Sequence, residues 1–135
     1  MRARNVYAGL MVGLLVAGVV GCEFRISTAN IREAKMARDA AGEDLTTTFA
    51  PGDTFYCLVQ LANAPGESKV KAVWSAVEVQ GVEPNRKIDE VEVATGSGPV
   101  RFNLTNRTGA WPTGRYKVDL YLDGKLDRTL EFSVE

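Results

Sequence analysis

The amino-acid sequence predicts an all-β fold, a single antiparallel β-sandwich of about seven strands, for most of its 135 residues. First, apolar and polar residues alternate in several short runs, the pattern of strands with one buried face. Second, the pair Asp123-Gly124 lies between two such runs. This pair favours a type I′ hairpin, whose two central residues both need positive φ. Third, no long helical run separates the strands, which indicates a sandwich or a barrel.

The first 21 residues are typical of a targeting segment. Arg2 and Arg4 precede an apolar run at 6–21 that is 16 residues long, whereas a permanent transmembrane helix needs roughly 18–20 residues. A charged start, a short apolar stretch and small residues before a break are typical of a cleaved secretory signal. The break at 19–22 reads VVGC and resembles the lipobox of bacterial lipoproteins.

The resemblance implies that Cys22 carries a lipid, that the chain is cut before it and that its new amino terminus is acylated. It divides the chain into a signal peptide at 1–21, a lipidated tether at 22–29 and a domain at 30–135. Stable anchoring needs two or more acyl chains, which such processing supplies. The implied location is the bacterial cell envelope. In Gram-negative cells an aspartate directly after the lipidated cysteine often marks retention in the inner membrane. Residue 23 is a glutamate, so the outer membrane is favoured. The alternatives are an ordinary signal peptide and an uncleaved anchor.

Composition excludes several chemistries. The chain has no histidine, which removes Ser/His/Asp and Cys/His catalysis and imidazole metal ligands. It carries 16 Lys+Arg against 17 Asp+Glu, and loss of Arg2 and Arg4 with the signal peptide leaves it mildly acidic. We therefore expect no nucleic-acid partner, since such a partner requires a basic face. No glycine-rich phosphate loop leads into a helix, and we expect no cofactor.

Residues 30–41 allow two interpretations. Asn30 and Glu33 have the spacing of a helix capping box. With a period of two, Ala34 and Met36 instead face one side of a strand. We favour the strand, because a first strand would cover an otherwise open sheet edge.

Six further strands are predicted, and they lie at 54–62, 70–79, 88–94, 100–104, 116–122 and 126–134. The strand 88–94 is the most polar of them, and we place it at a sheet edge, where charges discourage pairing with other chains. Cys57 occupies an apolar position of the alternating strand 54–62. We expect a buried free thiol there and not a nucleophile, because no histidine is available to activate it.

Two aromatic residues connect the predicted sandwich to a known family. Trp74 in the strand 70–79 resembles the core tryptophan of immunoglobulin-type sandwiches, and Tyr116 within 114–118 resembles their tyrosine corner. Val118 stands where antibody domains keep their second cysteine. The resemblance therefore implies an immunoglobulin-like or fibronectin-type domain without a disulfide. It implies no function, because this fold hosts many unrelated roles.

The acidic clusters lack the arrangement that catalysis or metal binding requires. Glu90 and Glu92 share a strand face and Asp89 points the other way, whereas a paired-acid hydrolase needs two carboxyls that face each other across a cleft. Three more acids surround the predicted hairpin without the regular spacing of a calcium loop: Asp119, Asp123 and Asp127. We expect solvated side chains in both clusters, no catalytic residue and no metal site.

Trp111, Tyr121 and Val91 are the candidate residues for partner binding. Tryptophan and tyrosine anchor many binding surfaces, so Trp111 and Tyr121 could form an exposed platform for a glycan or a peptide. The alternative, which we favour, is that Trp111 caps the open end of the sandwich. Val91 lies in the middle of the edge strand 88–94, with which an extended segment of another protein could pair.

These observations predict a lipid-anchored envelope protein that acts as a non-catalytic binding or accessory module for a protein or polysaccharide partner. Two alternatives belong to other classes. A carrier of a small apolar ligand would need a cavity, yet the inward positions carry large side chains that fill a sandwich. An envelope hydrolase would need a catalytic constellation, and the sequence singles none out.

The substitution Cys22→Ala tests the anchor. We expect the wild-type protein from membranes to have a mass that begins at residue 22 and includes acyl chains. The variant should show neither the cleavage nor the acyl chains when both are measured by intact-mass spectrometry. An unlipidated wild-type mass would contradict the anchor and would make a disulfide between Cys22 and Cys57 possible.

Overall fold

The computed structural model describes residues 28–135, in which eight strands form two sheets. Cys22 and the predicted signal peptide lie outside the described residues. In chain order the strands are β1 (Asn30–Ala37), β2 (Thr48–Phe49), β3 (Phe55–Ala62), β4 (Ser68–Val79), β5 (Arg86–Thr95), β6 (Gly98–Leu104), β7 (Gly114–Leu122) and β8 (Lys125–Val134). The described range holds no helix long and apolar enough to cross a membrane.

The two sheets of the sandwich are unequal. The smaller sheet has the order β1-β3-β6, and the larger has the order β2-β8-β7-β4-β5. Neighbouring strands of residues 28–135 pair in antiparallel fashion, apart from β2 and β8, where Thr48 lies opposite Ser133 in a parallel pair. The predicted all-β sandwich is confirmed. The strand beyond the expected seven is β2, whose two residues are too few to show a period in the sequence.

The segment 30–41, for which a helix and a strand were both considered, forms strand β1 over Asn30–Ala37. β1 runs antiparallel to β3, from Asn30 opposite Ala62 to Ala37 opposite Tyr56, and it buries Met36 at 4 % exposure. The chain then leaves the smaller sheet and reaches β2 in the larger one. Arg38 holds this crossing in place through its guanidinium, which forms ion pairs with Asp44 at 3.1 Å and with Asp53 at 3.2 Å.

The core lies between the sheets and is filled by alternate residues of each strand. The residues that the alternation predicts to face inward are buried in two strands, β3 (Phe55, Cys57, Val59, Leu61) and β4 (Val70, Ala72, Trp74, Ala76). Trp74 is 1 % exposed, as the immunoglobulin resemblance implied. Burial raises the pKa of the Cys57 thiol to about 12. This thiol is therefore protonated at neutral pH and packs as a small apolar group.

The predicted hairpin joins β7 to β8. Asp123 has φ 50° and Gly124 has φ 86°, and two consecutive positive values are what a type I′ turn requires. The Asp123 carboxylate also accepts a hydrogen bond from the Lys69 amide at 2.9 Å, and the Asp123 amide donates to the Lys69 carbonyl at 2.8 Å. The turn is thus tied to the start of β4.

A bulge interrupts the alternation of β8 next to this turn. Leu120 pairs with Arg128 but Tyr121 pairs with Leu126, so Asp127 is an extra residue in β8. A bulge of this kind shifts the side chains on one side of it relative to the other. Leu126 is consequently 57 % exposed, whereas Phe132 at the far end of the same run is 4 % exposed.

Candidate functional site

Strand β5 is a free edge of the larger sheet. It pairs with β4 on one side, and no other described strand lies on its second side. The strand is exposed along most of its length. The prediction of a polar edge strand at 88–94 is confirmed. A free edge presents unpaired backbone N–H and C=O groups with which another extended chain can pair.

Val91 faces inward but remains accessible. It lies opposite Ala72, a core residue of β4, and side chains directly opposite in an antiparallel pair share a face. The smaller sheet has three strands against five in the larger, and Val91 is left 39 % exposed while Ala72 is fully buried. An apolar side chain therefore lies exposed along the free edge.

A bulge at Ile88 distorts the start of β5. Asp89 pairs with Trp74 but Lys87 pairs with Ser75, which makes Ile88 the extra residue. Ile88 is 38 % exposed. The bulge also brings Lys87 to the face that carries Glu90, and the two form an ion pair at 3.0 Å.

The Glu90 carboxylate is held by two lysines. Its hydrogen bond from Lys87 and the charges of Lys87 and Lys71 keep its pKa below the ordinary value. Glu92 lies on the same face, opposite Lys71, and Asp89 lies on the other face. This alternation is the predicted one, and it leaves the carboxyls of the strand without the facing pair that a hydrolase needs.

An apolar cleft of about 330 Å³ opens beside the Ile88 bulge. Its lining combines the end of β4, the loop that follows, the start of β5 and the segment before β7: Ala76, Val79, Val82, Arg86, Lys87, Ile88, Trp111, Pro112 and Tyr116. Sequence reasoning missed this cleft, because its residues are far apart in the chain and none of them forms a motif. Its volume lies at the lower end of the range for small-molecule pockets.

Trp111 forms a wall of the cleft and is not an exposed platform. Its ring stacks on Phe55 with centroids 4.7 Å apart, and its side chain is 8 % exposed. Its backbone N–H donates to the Pro51 carbonyl at 2.8 Å and its ring Nε1–H donates to the Asp53 carbonyl at 3.0 Å. The platform alternative therefore fails for Trp111, and the capping alternative describes it.

Tyr116 fixes the neighbouring segment. Its hydroxyl donates a hydrogen bond to the Pro112 carbonyl, four residues earlier, which is the contact of a tyrosine corner. Burial raises the pKa of this hydroxyl. Two residues earlier, Gly114 has φ 147°, and a Cβ there would lie 2.5 Å from the Glu78 carbonyl oxygen. Glycine therefore permits β7 to begin this close to β4.

Arg86 is an unpaired cation at the mouth of the cleft. Its neighbour Lys87 is paired with Glu90, but no carboxylate in residues 28–135 lies within ion-pair distance of the Arg86 guanidinium. The cleft thus offers apolar walls and one available positive charge.

The three candidate residues for partner binding do not form one cluster. Trp111 is in the cleft wall and Val91 is on the free edge that leads to it. Tyr121 lies near the other end of β7, opposite Lys71, whose Nζ stands 4.7 Å from the centroid of the tyrosine ring. Its ring face is therefore already in contact with a cation of the same sheet.

The acids around the β7–β8 hairpin each bind groups of the same chain. Asp119 accepts a hydrogen bond from the Thr129 hydroxyl and lies 3.4 Å from Lys117. Asp127 pairs with Arg128 at 2.7 Å, and Asp123 accepts the backbone bond that ties the turn to β4. Among residues 28–135 no three such side chains converge on a point where a metal ion could bind.

Comparison with known proteins identifies the fold. No family model matches the chain, and no curated protein is significantly similar to it. An immunoglobulin-like protein from Pseudomonas aeruginosa has a TM-score of 0.53 and 14 % identity over 81 % of this chain and 98 % of that one.

Parts of two larger proteins are also similar. An alkylpurine DNA glycosylase from Pseudomonas fluorescens, bound to DNA, has a TM-score of 0.55 and 15 % identity over 81 % of this chain and 31 % of that one. A β-glucosidase from Listeria innocua has a TM-score of 0.50 and 18 % identity over 82 % of this chain and 17 % of that one. At such identities the similarity shows the fold alone: the domain is an immunoglobulin-like β-sandwich without a disulfide.

Substitutions of Trp111 test its place in the core. Trp111→Ala should lower the free energy of unfolding by about 3–5 kcal/mol, because it leaves a large cavity beside Phe55. Trp111→Phe keeps an aromatic ring and loses the Nε1–H bond to Asp53, at a cost of about 1–2 kcal/mol. Urea unfolding followed by circular dichroism measures both. The control is Leu126→Ala, an exposed position where we expect a change within about 0.5 kcal/mol. A Trp111→Ala variant as stable as this control would show that Trp111 does not cap the core.

Proposed function

We propose that this chain is a non-catalytic binding module, tethered to the bacterial cell envelope through a lipid on Cys22, that captures a protein partner by strand addition to β5. The observation that carries the proposal is the free edge of β5 next to an apolar cleft. Main-chain hydrogen bonds along such an edge supply affinity, and a neighbouring pocket for a side chain supplies specificity.

The exposed apolar side chains favour a protein partner over a polysaccharide. In residues 28–135 the large apolar side chains that are well exposed are aliphatic: Leu45, Ile88, Val91 and Leu126. Two of them, Ile88 and Val91, belong to β5. Sugar rings pack on exposed aromatic faces, but Trp111 is buried and the half-buried Tyr121 has one ring face in contact with Lys71. A backbone edge with aliphatic side chains suits an extended peptide.

The chemistry of the described residues supports a non-catalytic role. The Cys57 thiol is buried and its pKa is raised to about 12, which leaves almost no thiolate at neutral pH. Glu90 of β5 and the three acids of the hairpin are engaged by the chain's own donors. The chain also has no histidine that could serve as a general base.

The position of the tether would direct the cleft away from the membrane. The domain begins beside Asn63, whose carbonyl accepts a hydrogen bond from the Thr28 hydroxyl at 2.7 Å. Asn63 follows the end of β3, whereas Phe55 at its start contacts Trp111 in the cleft wall. The 8 residues of β3 separate these ends by roughly 25 Å. The six residues 22–27 that precede Thr28 could reach about 20 Å when extended, so the free edge would be accessible above a membrane surface.

Proline substitutions in β5 test strand addition. Consecutive strand residues point their N–H groups to opposite sides of the strand. One of the two variants Val91→Pro and Glu92→Pro therefore removes an outward donor and leaves the bonds to β4. The variant that keeps the wild-type thermal unfolding temperature should lose capture of the partner by about tenfold or more.

Capture is measured in intact cells with a photo-crosslinking residue at position 90, and the control carries it at Asn103, on the exposed face of β6. We expect a discrete adduct from β5 alone, and this adduct should disappear with the stable proline variant. An adduct that persists in that variant, or that forms equally from position 103, would contradict strand addition at β5.

A further inference from the structure

We propose that the cleft is a specificity pocket for one aliphatic side chain of the added strand, with an acidic residue beside it that pairs with Arg86. This inference rests on the proposed function and names the chemistry of the partner. The partner segment is an extended peptide that carries a large aliphatic residue followed by an acidic one.

The cleft and the free edge share residues, which places them within reach of one peptide. Arg86 and Ile88 line the cleft and also begin β5. The bulge at Ile88 interrupts regular pairing at that point, so an added strand would bond to the regular part of β5, from Asp89 to Thr95. Its end would pass over the mouth of the cleft, where a side chain can turn inward.

The walls of the cleft are rigid and suit an aliphatic side chain. Trp111 is held by the stacking on Phe55 and by two hydrogen bonds to carbonyls, and Tyr116 is held by its bond to Pro112. A preformed pocket requires little ordering when a ligand enters, which increases affinity. A volume of about 330 Å³ has room for one large aliphatic side chain.

The charges along β5 change sign between the cleft and the rest of the edge. Arg86 at the cleft lacks a carboxylate partner in the described part of the chain, and Asp89 and Glu92 further along lack a cation within ion-pair distance there. An antiparallel strand with a basic residue near its start and an acidic residue near its end would complement this pattern. The acidic residue would then meet Arg86 next to the aliphatic side chain in the cleft.

Labelled peptides with blocked ends test the inference on the full chain in lipid nanodiscs. The probe KTVTLD carries the proposed pattern, KTVTLK replaces its acid, and KTVTSD replaces its aliphatic residue. Fluorescence anisotropy should show that KTVTLD binds about tenfold or more tightly than either of the other two. Failure of KTVTLD to bind at about 1 mM would overturn the inference.

Charge reversal at Arg86 gives the sharper comparison. Arg86→Glu should lower the affinity for KTVTLD by about tenfold or more, and the variant should bind KTVTLK more tightly than KTVTLD. Lys125→Glu makes the same charge change in the hairpin at the other end of the sandwich, and it should alter neither affinity by more than about twofold. An equal effect of the two variants would overturn the pairing with Arg86.

Two further outcomes separate this inference from the proposed function. Suppose that the crosslink from β5 forms in the wild-type chain and disappears in the stable proline variant, while Arg86→Glu leaves the order of peptide affinities unchanged. In that case strand addition holds and the proposed pocket chemistry is wrong. The second probe, 4-methylpentanoate, carries the same isobutyl group and a carboxylate but no peptide backbone. If it binds as tightly as KTVTLD, and binds the proline variant as tightly as the wild-type chain, the cleft is a small-carboxylate site and the peptide inference is overturned.

Discussion

The stacking of Trp111 on Phe55 is the contact on which the candidate site depends. It brings the segment between β6 and β7 against the end of the core. The backbone and ring N–H groups of Trp111 also donate hydrogen bonds to carbonyls of the loop before β3. Tyr116 then bonds back to Pro112, so the end of the segment next to β7 is fixed by both aromatic residues. A loose segment there would leave the cleft without a wall, and the cation at Arg86 would lie on an ordinary surface.

The unequal width of the two sheets produces the other half of the site. Five strands lie against three, and the outermost strand of the larger sheet is exposed on its edge and on part of its inner face. Such an edge is an aggregation hazard that proteins limit with charges and bulges. β5 has both, since Glu90 is held by Lys87 and Lys71 and Ile88 is bulged. If β5 accepts an added strand, these charges and this bulge would restrict which chains can pair with the edge.

Local patterns in the sequence were sufficient to predict most of the fold. Period-two alternation located the long strands, and the Asp123-Gly124 pair located the hairpin, because both signals arise from neighbouring residues. The two-residue strand β2 and the bulges at Ile88 and Asp127 are set by pairing between distant segments, and no local pattern reports them. The site shows the same division. The charged edge strand was predicted, whereas the cleft joins parts of the chain that meet only after folding, and the burial of Trp111 depends on Phe55 and Asp53.

Hydrogen exchange of the β5 amides tests strand addition to this edge most directly. The full chain would be followed residue by residue, alone and with the peptide KTVTLD. Strand addition predicts slower exchange at alternate amides between Asp89 and Thr95, because these outward N–H groups gain a partner, whereas the inward ones already bond to β4. Outward amides that exchange as fast with the peptide bound as without it would contradict strand addition.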